Sequence, residues 1–180
     1  LTSGPAPTAT AYDAWVNSYY SQLPTFSDGG PTLDPDNDGS NNLLEFALNG
    51  NPGSASNNGK MVVSSEDSGD VGTNRDLSVT LAVRSGAVAG VGPGGSVTLT
   101  VDGIVYTIQG SQGLQMWDSA VDEVTPASTL TPAPDAGWVR RTFRVTDSLG
   151  SSIDVLVEMG ALAHRLRAIA LAATDFATIY

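Results

Sequence analysis

The chain of 180 residues contains no cysteine. Without thiols it can form neither disulfide bonds nor a thiolate metal site. Any cross-link within the fold must therefore come from a metal ion bound by other side chains. Basic residues are also scarce, since 8 Lys and Arg stand against 19 Asp and Glu and the net charge is −11. A chain this acidic is repelled by a polyanion, and we therefore expect no nucleic-acid partner.

Long hydrophobic runs are missing as well. No stretch of about 18 uncharged apolar residues occurs, and no basic segment followed by an apolar one opens the chain, so we expect neither a membrane span nor a signal peptide. Residues 1–8 are typical of a mature or trimmed product. The apolar share of 41% is nevertheless ordinary for a globular protein, and it predicts one sizeable core or two small ones.

Candidate catalytic groups are few. His164 is the single histidine, and without a Gly-x-Ser-x-Gly turn it gives no basis for a Ser/His/Asp triad. The glycine-rich segment 90–95 precedes a strand pattern, whereas a phosphate-binding loop needs a helix after it. We therefore predict a protein that is not an enzyme.

Residues 34–45 carry the strongest functional signal. They read Asp-Pro-Asp-Asn-Asp-Gly-Ser-Asn-Asn-Leu-Leu-Glu, and this spacing matches a calcium loop of the EF-hand type, with alternating oxygen ligands and a two-oxygen carboxylate at position 12. An Asp- and Asn-rich turn before a helix would explain the acids but not their register. The predicted Ca²⁺ ligands are Asp34, Asp36, Asp38, the Ser40 backbone carbonyl, Asn42 and Glu45.

The remaining sequence predicts a mainly β fold. Helices are expected at about 10–20 and from the calcium loop to Asn49, and residues 53–59 form a polar connector. Short runs rich in β-branched residues follow, and Asp102-Gly103 between two of them indicates a tight hairpin. Strands are predicted at 61–64, 77–84, 96–101, 104–109, 116–120, 138–146 and 153–158.

These elements predict an antiparallel β-sandwich preceded by a helix–calcium loop–helix unit. We divide the chain into a helical calcium-loop unit at 1–58 and a β-sandwich domain at 59–180. The pattern of residues 161–180 fits a helix and one or two closing strands, at 166–171 and 176–180, about equally well.

Several segments resemble a known kind of module. The stretches Tyr12-Asp-Ala-Trp, Asp34-Pro-Asp-Asn-Asp-Gly and Asn42-Leu-Leu-Glu-Phe-Ala-Leu-Asn-Gly-Asn-Pro are similar to the calcium-loop segment near the C-terminus of large secreted proteins of environmental Gram-negative bacteria. The loop is also similar to thrombospondin type 3 and dockerin loops. The run from Val101 to Gly110, with Trp117-Asp118 after it, resembles the β-sandwich that follows. This resemblance implies calcium ligation at the loop and no catalytic residues.

Two functions remain open from the sequence. The first is a secreted, calcium-stabilised structural or adhesive module, extracellular or at the cell surface, whose uncharged C-terminal end adds as a strand to another copy and builds a homo-oligomer or filament. The alternative is a polysaccharide-binding accessory module of a larger secreted enzyme. Exposed tryptophans can stack on sugar rings, and the candidates for that role are Trp117 and Trp138.

Overall fold

The computed structural model describes residues 10–56, 59–67, 75–111, 116–145, 152–171 and 175–179. In this part of the chain, two α-helices precede ten strands. The helices are α1 (Ala11–Tyr19) and α2 (Asn42–Leu48). The strands are β1 (Met61–Asp67), β2 (Arg75–Arg84), β3 (Val88–Val91), β4 (Val97–Val101), β5 (Ile104–Ser111), β6 (Val121–Val124), β7 (Trp138–Val145), β8 (Ser152–Met159), β9 (Leu162–Leu171) and β10 (Asp175–Ile179). No helix among the described residues is long and apolar enough to cross a membrane.

The strands form two antiparallel sheets that pack together. One sheet has four strands in the order β1-β2-β7-β6, and the other has six in the order β10-β9-β8-β5-β4-β3. Successive residues of a strand point to opposite faces of its sheet. The residues that point to the shared interior include Val79 and Phe143 of the first sheet and Tyr106 and Val157 of the second, which are fully buried. The predicted antiparallel sandwich with a preceding helical unit is confirmed.

The N-terminal helices join the same core. Thr10 and Asp13 form a capping box that starts α1, and the helix turns one apolar face inward. On that face the Tyr12 and Trp15 rings contact the α2 ring of Phe46, with centroid separations of 5.4 and 5.3 Å. One continuous cluster of buried side chains links these aromatic residues to both sheets. The helical unit is therefore packed against the sandwich.

The predicted hairpin is present between β4 and β5. Asp102 and Gly103 both have positive φ, at 52° and 79°, and Val101 pairs with Ile104 across the turn. A two-residue turn of this kind matches the right-handed twist of the flanking strands, and Gly and Asp tolerate the conformation.

One local prediction is wrong, one strand was not predicted, and one ambiguity is resolved. Residues 116–120 do not form a strand, since Ser119 makes only an isolated bridge to Gly110 and β6 begins at Val121. Strand β3 was not predicted, because all four of its residues are exposed and show no alternation. The C-terminal ambiguity resolves in favour of two strands, β9 and β10, paired antiparallel to each other.

Candidate metal centre

The segment before α2 forms a closed loop. Its two ends are joined by backbone hydrogen bonds, in which the Asn42 amide donates to the Leu33 carbonyl at 2.8 Å and the Leu43 amide donates to the Pro31 carbonyl at 2.9 Å. The Asn41 side chain then caps the helix by accepting from the Leu44 amide at 3.0 Å. Residues 34–41 are thereby held as one loop directly in front of α2.

Three aspartates share the interior of this loop. One carboxylate oxygen from each of Asp34, Asp36 and Asp38 lies within 4.8 Å of the others. Positive φ angles at Asn37 (59°) and Gly39 (95°) fold the backbone around them. The Gly39 amide donates to Asp34 Oδ2 at 3.0 Å and the Asp38 amide donates to Asp34 Oδ1 at 3.2 Å. The loop is therefore wound around its own carboxylates.

Several oxygen atoms at this site are buried without a hydrogen-bond partner. They are Asp36 Oδ2, Asp38 Oδ2, Asn42 Oδ1 and both carboxylate oxygens of Glu45. The Asn42 amide nitrogen is fixed by two backbone acceptors, the carbonyls of Asp28 and Gly30, each at 2.8 Å. Its oxygen is the opposite end of the same planar group, so it is the end left unpaired. Burying acceptors in this way is costly unless something else supplies positive charge.

The pKa values of the cluster also show that its negative charges are not compensated. Burial raises the pKa of Glu45 to about 9, and the charges of Asp36 and Asp38 raise it further. The nearby Asn51 backbone partly offsets this rise in the pKa of Glu45. Its geometry does not amount to a hydrogen bond to either Glu45 oxygen. The pKa of Asp36 is also raised, first by burial and then by Asp38. No basic side chain in the described part of the chain forms an ion pair with these carboxylates.

The donor set fits a hard divalent cation. Every unpaired atom is a carboxylate or amide oxygen, and oxygen donors are what Ca²⁺, Mg²⁺ and Mn²⁺ prefer. Oxygens bound to one Ca²⁺ at 2.3–2.6 Å lie at most about 5 Å apart, and the aspartate group meets that limit at 4.8 Å. The three aspartates could therefore hold a metal ion.

The other predicted ligands lie around this group to different degrees. Glu45 is fully buried on α2 and within electrostatic reach of the aspartates, but it is not a member of the 4.8 Å set. Ser40 and Asn42 are buried at 3% and 0% exposure, and the Ser40 amide donates to Asp38 Oδ1 at 2.7 Å. The arrangement thus brings three of the six predicted ligands together.

Sequence reasoning missed the groups that hold α2 in place. The carbonyls in the last turn of this helix accept hydrogen bonds from the sandwich: Phe46 from Trp138 Nε1 at 3.0 Å, Ala47 from the Tyr106 hydroxyl at 2.9 Å, and Leu48 from the Lys60 amide at 2.8 Å. A helix of seven residues leaves most of its carbonyls without internal partners. The short length of α2 therefore indicates that its carbonyls need other hydrogen-bond donors, but the sequence does not show which distant residues supply them.

The two tryptophans proposed for sugar stacking have different surroundings. Trp138 is half-buried, donates its indole hydrogen to Phe46, and lies under the Arg84 guanidinium at 4.5 Å from the ring centre. This ring is used for internal contacts. Trp117 is half-buried beside Met116, which is 67% exposed. The prediction of sugar binding therefore rests on Trp117.

No protein-family model, curated protein or solved structure matches the chain. The observations that bear on function are consequently those of the site and the fold themselves.

Proposed function

We propose that this chain is a secreted, non-catalytic module with a structural or adhesive role, stabilised by one Ca²⁺ in the loop of residues 34–45. The observation that carries the proposal is the set of five buried, unpaired oxygen atoms around the aspartate group. A single divalent cation would offset up to two of the four negative charges of Asp34, Asp36, Asp38 and Glu45, and it would give the unpaired oxygens a partner.

Calcium is the ion we infer for two reasons. The loop offers up to six ligands in EF-hand order, whereas Mg²⁺ demands a tighter octahedron and usually keeps several waters. Modules outside the cell bind calcium weakly, because millimolar calcium is available there. Such calcium would saturate even a weak site with this ligand set, which favours an extracellular location.

Calcium would stabilise the whole fold and not only the loop. The ligand residue Glu45 lies on α2, and α2 is packed into the common core and hydrogen-bonded to strands of both sheets. An ion that binds only the folded state stabilises it by about 2.7 kcal/mol when present at one hundred times its dissociation constant. Its removal should thus lower the melting temperature of the entire sandwich.

The test is thermal unfolding with saturating calcium and with excess chelator. We expect a higher melting temperature in calcium, and Asp36→Ala should remove most of that difference. The matched control is Asp118→Ala, which deletes an exposed acid outside the loop and should keep the full calcium response. An unchanged response in Asp36→Ala, or no response in the native chain, would refute the proposed site.

A structural role includes self-assembly in our proposal. Strand β10, which carries a charge only at Asp175, is an edge strand of the six-stranded sheet, and an open edge is a ready site for another strand. Size measurement of the purified chain at rising concentration tests this part separately from the calcium response.

A further inference from the structure

We propose that copies of this chain join end to end through the six-stranded sheet, with β10 of one copy adding to β3 of the next. This inference rests on the self-assembling role proposed above and identifies β3 as the edge that accepts the added strand. Four observations carry it: an exposed and uncharged edge at β3, backbone groups that point outward from that edge, the relative direction of the two edges, and the distribution of charge among all four edges of the sandwich.

The β3 edge has little protection against pairing beyond its length of four residues. Natural edge strands are guarded by short length, lysine, proline, bulges or covering loops. Residues 87–91 read Ala-Val-Ala-Gly-Val and hold neither a charge nor a proline. Val88 and Val91 are 71% and 90% exposed, and β3 ends the order of its sheet. This edge is both open and apolar.

The hydrogen-bond pattern tells which backbone groups of β3 face outward. The Gly92 amide donates to the Ser96 carbonyl at 2.9 Å, which marks that pair as hydrogen-bonded. Such pairs alternate along an antiparallel ladder, so Gly90 also bonds inward to β4. The N–H and C=O groups of Ala89 and Val91 therefore point away from the sheet, where an added strand would meet them.

The two edges of the sheet run in opposite directions. Each of the five neighbouring pairs from β10 to β3 is antiparallel, and five reversals leave the first and sixth strands antiparallel to each other. A second copy in the same orientation thus presents its β10 antiparallel to the β3 of the first. The pairing of β10 with β3 thus continues the antiparallel order of the sheet from one copy to the next. Because this head-to-tail contact does not close into a ring, its repetition builds a filament.

Charge selects these edges over those of the other sheet. Both copies carry a net charge of −11, so any contact between them must avoid like charges. The edge strands of the four-stranded sheet each hold two acids, Glu66 and Asp67 in β1 and Asp122 and Glu123 in β6. Of these, Glu123 is ion-paired with Arg141. In contrast, β3 has no charged residue and β10 has only Asp175 at its start.

The size of the repeat follows from the sheet. Strands lie about 4.8 Å apart, so six strands per copy predict a rise of about 29 Å per subunit along the filament. The twist between neighbouring strands accumulates in one direction and makes the filament helical. Negative-stain or cryogenic electron microscopy of the assembled chain would measure both quantities.

The decisive experiment compares two substitutions at one position. Ala89→Pro removes an outward N–H, and proline is tolerated on edge strands where its missing N–H faces solvent. Ala89→Thr is the control, because it keeps that N–H. We expect native chain and Ala89→Thr to form oligomers that grow with concentration by light scattering, and Ala89→Pro to run as a monomer of 18.5 kDa. Equal assembly of the two variants, or a native chain that stays monomeric, would overturn the proposal.

Mixing variants identifies both partners of the junction. A chain lacking residues 175–180 keeps the acceptor, and Ala89→Pro keeps the donor. Each should be monomeric alone, and together they should form a heterodimer and nothing larger. If the shortened chain still assembles alone, β10 is not the donor; if Ala89→Pro still dimerises alone, β10 pairs with itself and the proposed junction is wrong.

Folding and calcium binding are followed in the same samples. Should Ala89→Pro lower the melting temperature, Val91→Asp is the second block, since it adds a like charge to an edge position that is 90% exposed. Its failure to reduce assembly would also count against the junction. A monomeric chain that retains its calcium-dependent melting temperature refutes the junction alone, whereas loss of the calcium response refutes the proposed metal site.

Discussion

The Lys60 ammonium group donates to two oxygens of Asn49, the backbone carbonyl at 2.9 Å and the side-chain Oδ1 at 2.7 Å. Asn49 ends α2 in the left-handed conformation, at φ 62°. The ammonium group therefore supplies hydrogen bonds at the C-terminal end of α2, and the N-terminal end of the same helix faces the aspartate group. A cation at a helix C-terminus also interacts favourably with the helix dipole.

Replacing this lysine should destabilise the fold. Lys60→Met keeps the apolar stem but leaves the buried Asn49 carbonyl without its donor, which should lower the free energy of unfolding by about 1–3 kcal/mol. Asp135 also contacts Lys60, at 3.4 Å, but its side chain is 68% exposed, so that ion pair is screened by solvent and contributes little. Urea unfolding in saturating calcium should therefore show a smaller loss for Asp135→Asn than for Lys60→Met. The reverse order would contradict the helix-end role.

Glu45→Gln should change stability in opposite directions with and without calcium. In the metal-free protein at pH 7, Glu45 must take up a proton on folding because its pKa rises from 4.5 to about 9, and this costs on the order of 3 kcal/mol. Glutamine avoids that cost, so the metal-free variant should melt at a higher temperature than the native chain. In calcium it should melt lower, because it lacks the carboxylate ligand. A higher melting temperature under both conditions would show that Glu45 is not a ligand, and a lower one under both would contradict the raised pKa of its carboxyl group.

The metal-free native chain should lose stability as the pH rises. When the pKa of a carboxyl group is higher in the folded than in the unfolded state, its protonation stabilises the fold. This stabilisation is complete at a pH below the unfolded pKa and is lost as the pH rises to the folded pKa. For Glu45 that window runs from pH 4.5 to about 9. Melting temperatures of decalcified protein at pH 5.5, 7 and 8.5 should fall relative to those of Glu45→Gln. A constant difference between the two proteins would argue against the buried, charge-crowded carboxyl group.

The aspartate cluster and the general fold could be predicted from sequence because their signals are local. The register of Asp34, Asp36 and Asp38 follows from a twelve-residue spacing, and the hairpin at Asp102-Gly103 follows from two adjacent residues that tolerate positive φ. Such features depend on backbone conformations that a few neighbouring residues determine. The prediction of an antiparallel sandwich likewise needed only the regular spacing of short β-prone runs.

The features that escaped prediction depend on distant or weakly patterned residues. Strand β3 is fully exposed, so no apolar alternation marks it, and its existence depends on pairing with β4. The donor to the Ala47 carbonyl is Tyr106, 59 positions later, and the donor to Phe46 is Trp138, 92 positions later. Side chains meet at such separations only through the order of strands in the sheets, which periodicity does not specify.

Two glycines allow loop conformation to be separated from calcium binding. Gly39 and Gly103 both have positive φ, at 95° and 79°, and a methyl group at either would meet no atom within 4 Å. Alanine at each position should therefore cost about 1–2 kcal/mol through backbone conformation alone. Gly39 lies in the loop of residues 34–41, and alanine there can relieve this strain if the metal-free loop leaves the conformation that gathers the aspartates. Gly39→Ala should therefore weaken calcium binding by up to about tenfold by calorimetry, and Gly103→Ala should leave it unchanged. Equal affinities of the two variants would count against this loop as the site.

Tyr106→Phe should be the most costly loss of a single hydroxyl group in the core. The ring is fully buried, and its hydroxyl donates to the Ala47 carbonyl at 2.9 Å and accepts from the Arg84 amide at 3.2 Å. Removing the oxygen leaves two backbone groups without partners, one of them on α2, and each unpaired buried group costs about 1–3 kcal/mol.

The control for this substitution is Tyr12→Phe. That hydroxyl makes one part-buried hydrogen bond, to the Gly29 carbonyl at 3.0 Å, so its loss should cost less. Chemical unfolding of both variants in saturating calcium measures the difference, and far-UV circular dichroism checks that each retains the native fold. If Tyr12→Phe proves as destabilising as Tyr106→Phe, the hydrogen bonds between α2 and the sheets are not what fixes the helix, and loss of packing around the rings would have to explain both.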